Sequence, residues 1–183
     1  MVLHKNQQSK ASWENNMKVL IEHGEIVEIC QRIGKEITEK FSGKNPLVVC
    51  VLKGAAPFHS ELIKHIDLDI EVDYIQVKSY DGTTTTGSVL FVKDLETDIA
   101  GRDVVIVEDI VDTGRTLSKL KEVLVTRGAK SLTFVTLLDK PSRREVEFQP
   151  DFVGKEIDNL FVIGFGLDYN EKYRNLKDVC VME

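Results

Sequence analysis

Four β-branched residues in a row, Val104-Val105-Ile106-Val107, leave the chain few folds to choose from. A strand with one wet face alternates polar and apolar residues. This run does not, so it is expected to be covered on both faces, as at the centre of a parallel sheet. PLVVCVL (46–52), LTFVTLLDK (132–140) and FVIGFGLDY (161–169) read as further buried strands. DIEVDYIQVKSY (69–80) and SVLFVKDL (88–95) alternate instead, and the polar DGTTTTG between them predicts a hairpin with a long tip.

Helical periodicity fills the gaps between strands. Ile26, Ile29, Cys30, Ile33 and Ile37 recur at three- and four-residue spacing and end at FSGKN. KGAAPFHSELIKHI (53–66) reads as a loop and a helix, with Pro57 near the helix start. After Arg115, a helix would turn Leu117, Leu120, Val123 and Leu124 inward and stop at Gly128. Strands alternating with helices predict an open α/β sheet. At 183 residues without a linker or repeat, the chain is expected to form one domain over 1–183, with a loose polar arm over 1–16.

The formal net charge is -6, which argues against a general nucleic-acid or acidic-membrane binder. An anionic small substrate stays open, because a local site can be positive or use a metal. Cys30, Cys50 and Cys180 are odd in number, far apart and set in apolar runs. They form no disulfide framework or metal-ligand spacing, so a reducing compartment is expected. MVLHKNQQSKASWENN lacks the apolar core of a signal peptide, and no apolar run approaches the ~20 residues of a membrane helix. The expectation is a cytoplasmic, soluble protein.

The chemistry gathers just past the β-branched run, in VVIVEDIVDTGRTL (104–117). Glu108, Asp109 and Asp112 fall at the carboxyl end of a central strand, where ligands bind in sheets of this kind. Thr113, Gly114, Arg115 and Thr116 then turn into a helix. Helix N-termini favour anions, and the two hydroxyls and the guanidinium add donors. A phosphate suits the turn. The acids upstream would repel it unless they hold hydroxyls or a hard cation. A phosphorylated sugar with vicinal hydroxyls matches both halves. The same residues also suit an acidic loop ahead of a capped helix. No GxxxxGK[ST] motif occurs, which disfavours a plain nucleoside triphosphatase.

This segment resembles the signature of the type I phosphoribosyltransferases, and most of all the hypoxanthine-guanine phosphoribosyltransferases. The likeness continues in VLKGA (51–55), SYDG (79–82), LLDKPSRR (137–144, in the bacterial form), DFVG (151–154) and FVIGFGLDYNEKYRNL (161–176). It covers nearly everything after Met17. The resemblance implies a twisted, mainly parallel sheet flanked by helices, with a small hood over the base. It implies transfer of 5-phosphoribosyl from its 1-diphosphate to N9 of hypoxanthine or guanine, with Mg²⁺. Partners would be these small molecules, with no nucleic acid or membrane, and the chain would form a homodimer or homotetramer.

Roles follow by position. Glu108 and Asp109 would hold the ribose hydroxyls, partly through Mg²⁺, with Asp168 as a further metal contact. Asp112 would be the general base or acid at purine N7. Thr113, Gly114, Arg115 and Thr116 would bind the 5′-phosphate. Lys53 and Gly54, in a loop where the family has a cis peptide before the Lys, would bind pyrophosphate, as would Arg174. Alone, Lys53-Gly54 reads as a strand exit and Arg174 as a surface residue. Lys140, a donor only, would read the purine 6-oxo group and oppose adenine. Phe161 would stack on the base, although burial preference alone makes it core. Val162 and Asp168 would contact the base nearby, and Ser79 and Tyr80 would belong to a mobile lid. His4, His23, His59 and His65 lie outside every matched motif. Two other readings remain, a xanthine-preferring relative and a non-catalytic sensor of the diphosphate.

Overall fold

The computed structural model describes residues 17–79 and 89–182. The buried runs form a six-stranded sheet in the order β4-β3-β2-β5-β6-β7. Its strands are β2 (Leu47–Val51), β3 (Glu71–Ser79), β4 (Val89–Lys93), β5 (Asp103–Val111), β6 (Ser131–Asp139) and β7 (Phe152–Glu156). Neighbours from β3 to β7 are parallel, with Leu47 opposite Val104 and Val104 opposite Leu132. Only β4, at the edge, runs antiparallel, as the expected hairpin partner of β3. Tyr80 and the tip through Ser88 lie outside the described residues, as do residues 1–16.

The β-branched run is covered on both faces. Val105 and Val107 pack into one apolar cluster, Val104 and Ile106 into another. Helix α1 (His23–Lys40) covers the first face with Ile26, Ile29, Cys30, Ile33 and Ile37, all buried as their spacing required. Helix α2 (Ala56–Leu62) opens with Pro57 and adds Phe58 and Leu62 to that side. Helix α3 (Arg115–Thr126) covers the other face with Leu117, Leu120 and Leu124, while Val123 is only half-buried. Each such buried side chain contributes roughly 1.5–3 kcal/mol, so the sheet end that carries the acids rests on a stiff base.

A second, antiparallel sheet has the order β1-β9-β8. It joins β1 (Met17–Ile21), β8 (Val162–Ile163) and β9 (Val179–Met182), and is the hood. Here one expectation is corrected. FVIGFGLDY is not a strand of the main sheet; only Val162 and Ile163 are extended, and they pair with Val181 and Cys180. The chain then turns, with positive φ at Gly164, Phe165 and Gly166. Gly164 leaves no room for a Cβ, which would meet the Asp178 carbonyl. Among the described residues no helix is long and apolar enough to cross a membrane.

Candidate active site

Strand β5 delivers the acids and α3 receives the turn. Gly114 sits at the N-cap of α3 with φ 79, a conformation that favours glycine. A Cβ there would also press on Arg144 Cδ at 2.9 Å. The first intrahelical bond runs from Ser118 N to Gly114 O at 2.9 Å, and the turn before it faces a cavity of about 200 Å³. Glu108 to Gly114, Thr116 and Leu117 line this cavity. Arg115 N donates weakly to Thr113 Oγ1 at 3.4 Å, and the Arg115 guanidinium pairs with Glu145 at 2.5 Å.

Glu108 and Asp109 are adjacent and recessed. Asp109 N donates to Glu108 Oε1 at 3.0 Å and Ile110 N to Asp109 Oδ1 at 2.7 Å. Burial, and then the charge of Asp109, push the Glu108 carboxyl well above the usual carboxylate range. Burial raises Asp109 as well, against its hydrogen bonds and the nearby charge of Arg174. Among the described residues no cation forms an ion pair with either acid. Two adjacent hard-oxygen groups that form no ion pair fit a divalent ion such as Mg²⁺, which prefers one or two carboxylates plus substrate oxygens. Asp168 does not complete a cage with them; no group of three metal-binding side chains exists among the described residues. Its carboxylate is instead 2.8 Å from Arg174 Nη2.

The loop at Lys53 is built against these acids. The Leu52–Lys53 peptide is cis. Gly54 lies so close to Asp109 that a Cβ would overlap its carboxylate, and a Cβ on Gly166 would overlap the Gly54 carbonyl. The hood turn, the Lys53 loop and the end of β5 are thereby in direct contact. Lys53 Nζ lies 2.9 Å from Glu171 Oε2, while Arg174 reaches Gly166 O (2.7 Å), Asp168 and Glu171 (3.4 Å). The Arg174 Nε is buried without a partner. Lys53 and Arg174, which look unrelated in sequence, thus converge on one acid, Glu171, whose carboxyl the Lys53 hydrogen bond holds low.

Beyond β6, Lys140 is only 7 % exposed. Its backbone N donates to Val111 O at 2.9 Å, which ties it to the end of β5. Phe161 is not core: it is 53 % exposed, edge-on to Tyr169 at 5.7 Å. Its exposure leaves a ring face available for stacking. Val162 is buried beneath it in β8. Ser79 ends β3, and Tyr80 lies outside the described residues. Asp139, Arg143, Arg144 and Glu171 also belong to the neighbourhood and were not singled out from sequence. An acid ending a buried strand, followed by an Arg-Arg pair, was the available signal for three of them.

Comparison with known proteins points to one family. The profile of the phosphoribosyl transferase domain matches residues 17–170. A hypoxanthine-guanine phosphoribosyltransferase of Lactococcus lactis is 52 % identical over 91 % of this chain and 91 % of its own length. One of Streptococcus thermophilus is 50 % identical over 91 % of this chain and 93 % of its own. The crystal structure of a hypoxanthine phosphoribosyltransferase from Staphylococcus aureus superposes with a TM-score of 0.90 at 42 % identity, covering 96 % of this chain and 97 % of that one.

Proposed function

The chain belongs to the phosphoribosyl transferase domain family, and from that premise we propose how its site works. The enzyme serves purine salvage, moving 5-phosphoribosyl from the 1-diphosphate to hypoxanthine or guanine. The products are the nucleoside monophosphate and pyrophosphate. What best supports the assignment of roles is one arrangement: two recessed acids that form no ion pair among the described residues, beside the turn that opens α3.

The turn from Thr113 to Thr116 takes the 5′-phosphate. Glu108 and Asp109 accept hydrogen bonds from the ribose hydroxyls, and Lys53, Gly54 and Arg174 hold the diphosphate. Mg²⁺, held by Glu108 and Asp109 with Asp168 nearby, would neutralise phosphate charge and stabilise the departing pyrophosphate. Lys140 donates to the 6-oxo oxygen, Phe161 stacks on the ring, and Val162 and Asp168 flank it. N9 attacks C1′ as the C1′–O bond to the diphosphate breaks. The N7 proton, made acidic by that attack, passes to the Asp112 carboxylate. Ser79 and Tyr80 belong to a lid that excludes water from the cationic sugar. The same reading carries a homodimer or homotetramer, checked by light scattering, working in the cytoplasm.

The test is pyrophosphate release from the diphosphate and Mg²⁺ with hypoxanthine, guanine, xanthine and adenine in parallel. Turnover with the first two and none with adenine is expected. Preference for xanthine would shift the substrate assignment. Binding of the diphosphate without turnover on any base would make the pocket a sensor. Asp112→Asn is expected to lower kcat by about 10²- to 10⁴-fold, as for loss of a general base, with diphosphate binding kept. A near-wild-type rate would remove Asp112 from that role.

A further inference from the structure

Asp112 is gripped at both ends by consecutive arginines. Arg143 Nε donates to Asp112 Oδ1 at 3.0 Å, and Arg144 Nη1 donates to the Asp112 carbonyl at 2.5 Å. The other arm of Arg144 pairs with the buried carboxylate of Asp139. The two arginines lie at the end of a 3₁₀ turn, Pro141–Arg143, directly after Lys140. That turn is closed by Arg143 N to Lys140 O at 3.0 Å, and the chain continues with Glu145 N to Thr113 O at 3.0 Å. The segment that carries the base-reading lysine is therefore laced to the segment that carries the general base.

We propose that Arg143 is a positioning residue for Asp112, engaging one carboxylate oxygen so that the other is presented to the purine N7 proton. This rests on Asp112 being the general base. The geometry favours the role for a simple reason. Asp112 stands in a turn beyond its strand, with its side chain 42 % exposed, so burial alone does not fix its χ angles. A carboxylate oxygen engaged by a planar guanidinium is held in a defined direction. Misplacing a reacting group by an ångström is costly even when its chemistry is intact. Arg144 is unsuitable for the test, because its removal would leave Asp139 buried without its cation and threaten the fold.

The experiment is a double-mutant cycle on full-length enzyme, read by single-turnover rate with enzyme in excess, alongside the steady-state KM for the diphosphate. Arg143→Gln is expected to slow the transfer about fivefold, a modest loss because a half-exposed pair holds its geometry weakly, with that KM within about twofold of wild type. In the Asp112→Asn background the same change is expected to do nothing. Arg143→Lys keeps the charge without the planar fork and is expected to hold an intermediate rate. An Arg143→Gln enzyme as fast as wild type or faster would overturn the proposal while Asp112→Asn, if slow, left the general base in place. An equal loss in both backgrounds would also overturn it, by making Arg143 merely structural. A fast Asp112→Asn enzyme would sink the general-base reading and this proposal with it.

Discussion

A lysine fixed at the end of a strand offers a ligand hydrogen-bond donors and no acceptor. Lys140 is in that position at the end of β6, its residue only 7 % exposed. A 6-oxopurine offers an acceptor there and adenine a donor. Lys140→Ala is expected to cut kcat/KM for hypoxanthine about 10- to 100-fold, the scale of a charge-assisted hydrogen bond, with no matching fall for adenine. An unchanged ratio between the two bases would remove the lysine from base reading. Glu108 carries a strain of its own, since burial and Asp109 raise its carboxyl well above the usual range. As pH climbs from the ordinary carboxylate range toward that raised value, the unfolded chain sheds this proton and the folded chain does not. The contribution of Glu108 to stability is therefore full at acid pH and is lost over that window. Glu108→Gln is expected to stabilise the ligand-free protein at neutral pH by about 1 kcal/mol while costing activity, the usual trade at a strained site. Urea unfolding at pH 5 and pH 7.5 checks it: a variant with no greater advantage at the higher pH would refute the sign.

At the scale of elements, Asp73 shows how a side chain can replace strand pairing. It sits in β3 and accepts from Tyr74 N (2.7 Å), Glu96 N and Thr97 N (both 2.9 Å), fastening the segment that leaves β4. Burial pushes its carboxyl up, but the amide donations of Thr97, Tyr74 and Glu96 outweigh this and leave it below its ordinary value. Its contribution is thus present above the unfolded carboxylate pKa and lost as pH falls through the lower folded one. Asp73→Ala is expected to cost about 2 kcal/mol at neutral pH, since it removes the acceptor of three part-buried amides, and the penalty should shrink in acid. A pH-independent penalty in chemical unfolding would contradict this. Such contacts were invisible beforehand, whereas β2, β5, β6, α1 and α3 could be read directly, because each buries a periodic apolar set of its own. Val104 to Val107 announce a strand whatever surrounds them. FVIGFGLDY misled because apolar content was taken for extension, and the close approach of Gly164 to the Asp178 carbonyl is a tertiary fact. Phe161 misled in the other direction: its exposure is set by a hood whose strands pair across the length of the chain. At the candidate site, the three acids and the turn into α3 were legible as a cluster because they are contiguous. The Arg143–Asp112 and Lys53–Glu171 pairs were not, being 31 and 118 residues apart.

For the molecule as a whole, the question is whether the hood is a separate unit that opens over the base or part of one cooperative body. It pairs the two ends of the described chain, Met17 opposite Met182, which no local pattern encodes. Its Ile21, Val162 and Val179 are buried in the same cluster as Ile26, Ile33 and Phe58 beneath the main sheet. Exposing three such side chains costs roughly 4.5–9 kcal/mol, taking 1.5–3 for each, which is comparable to the whole stability of an ordinary domain. The hood is therefore expected to stay closed until everything unfolds. The three cysteines report on this, because Cys30 lies in α1, Cys50 in β2 and Cys180 in β9, all buried. Burial pushes the Cys30 and Cys50 thiols up to about 12 and raises Cys180 as well, so at pH 8 the folded protein holds almost no reactive thiolate. Labelled with an aromatic disulfide reagent at pH 8 along a urea titration, all three are expected to react in one step that coincides with the loss of helical circular dichroism. If Cys180 reacted at lower urea than Cys30 and Cys50, the hood would be a local unfolding unit.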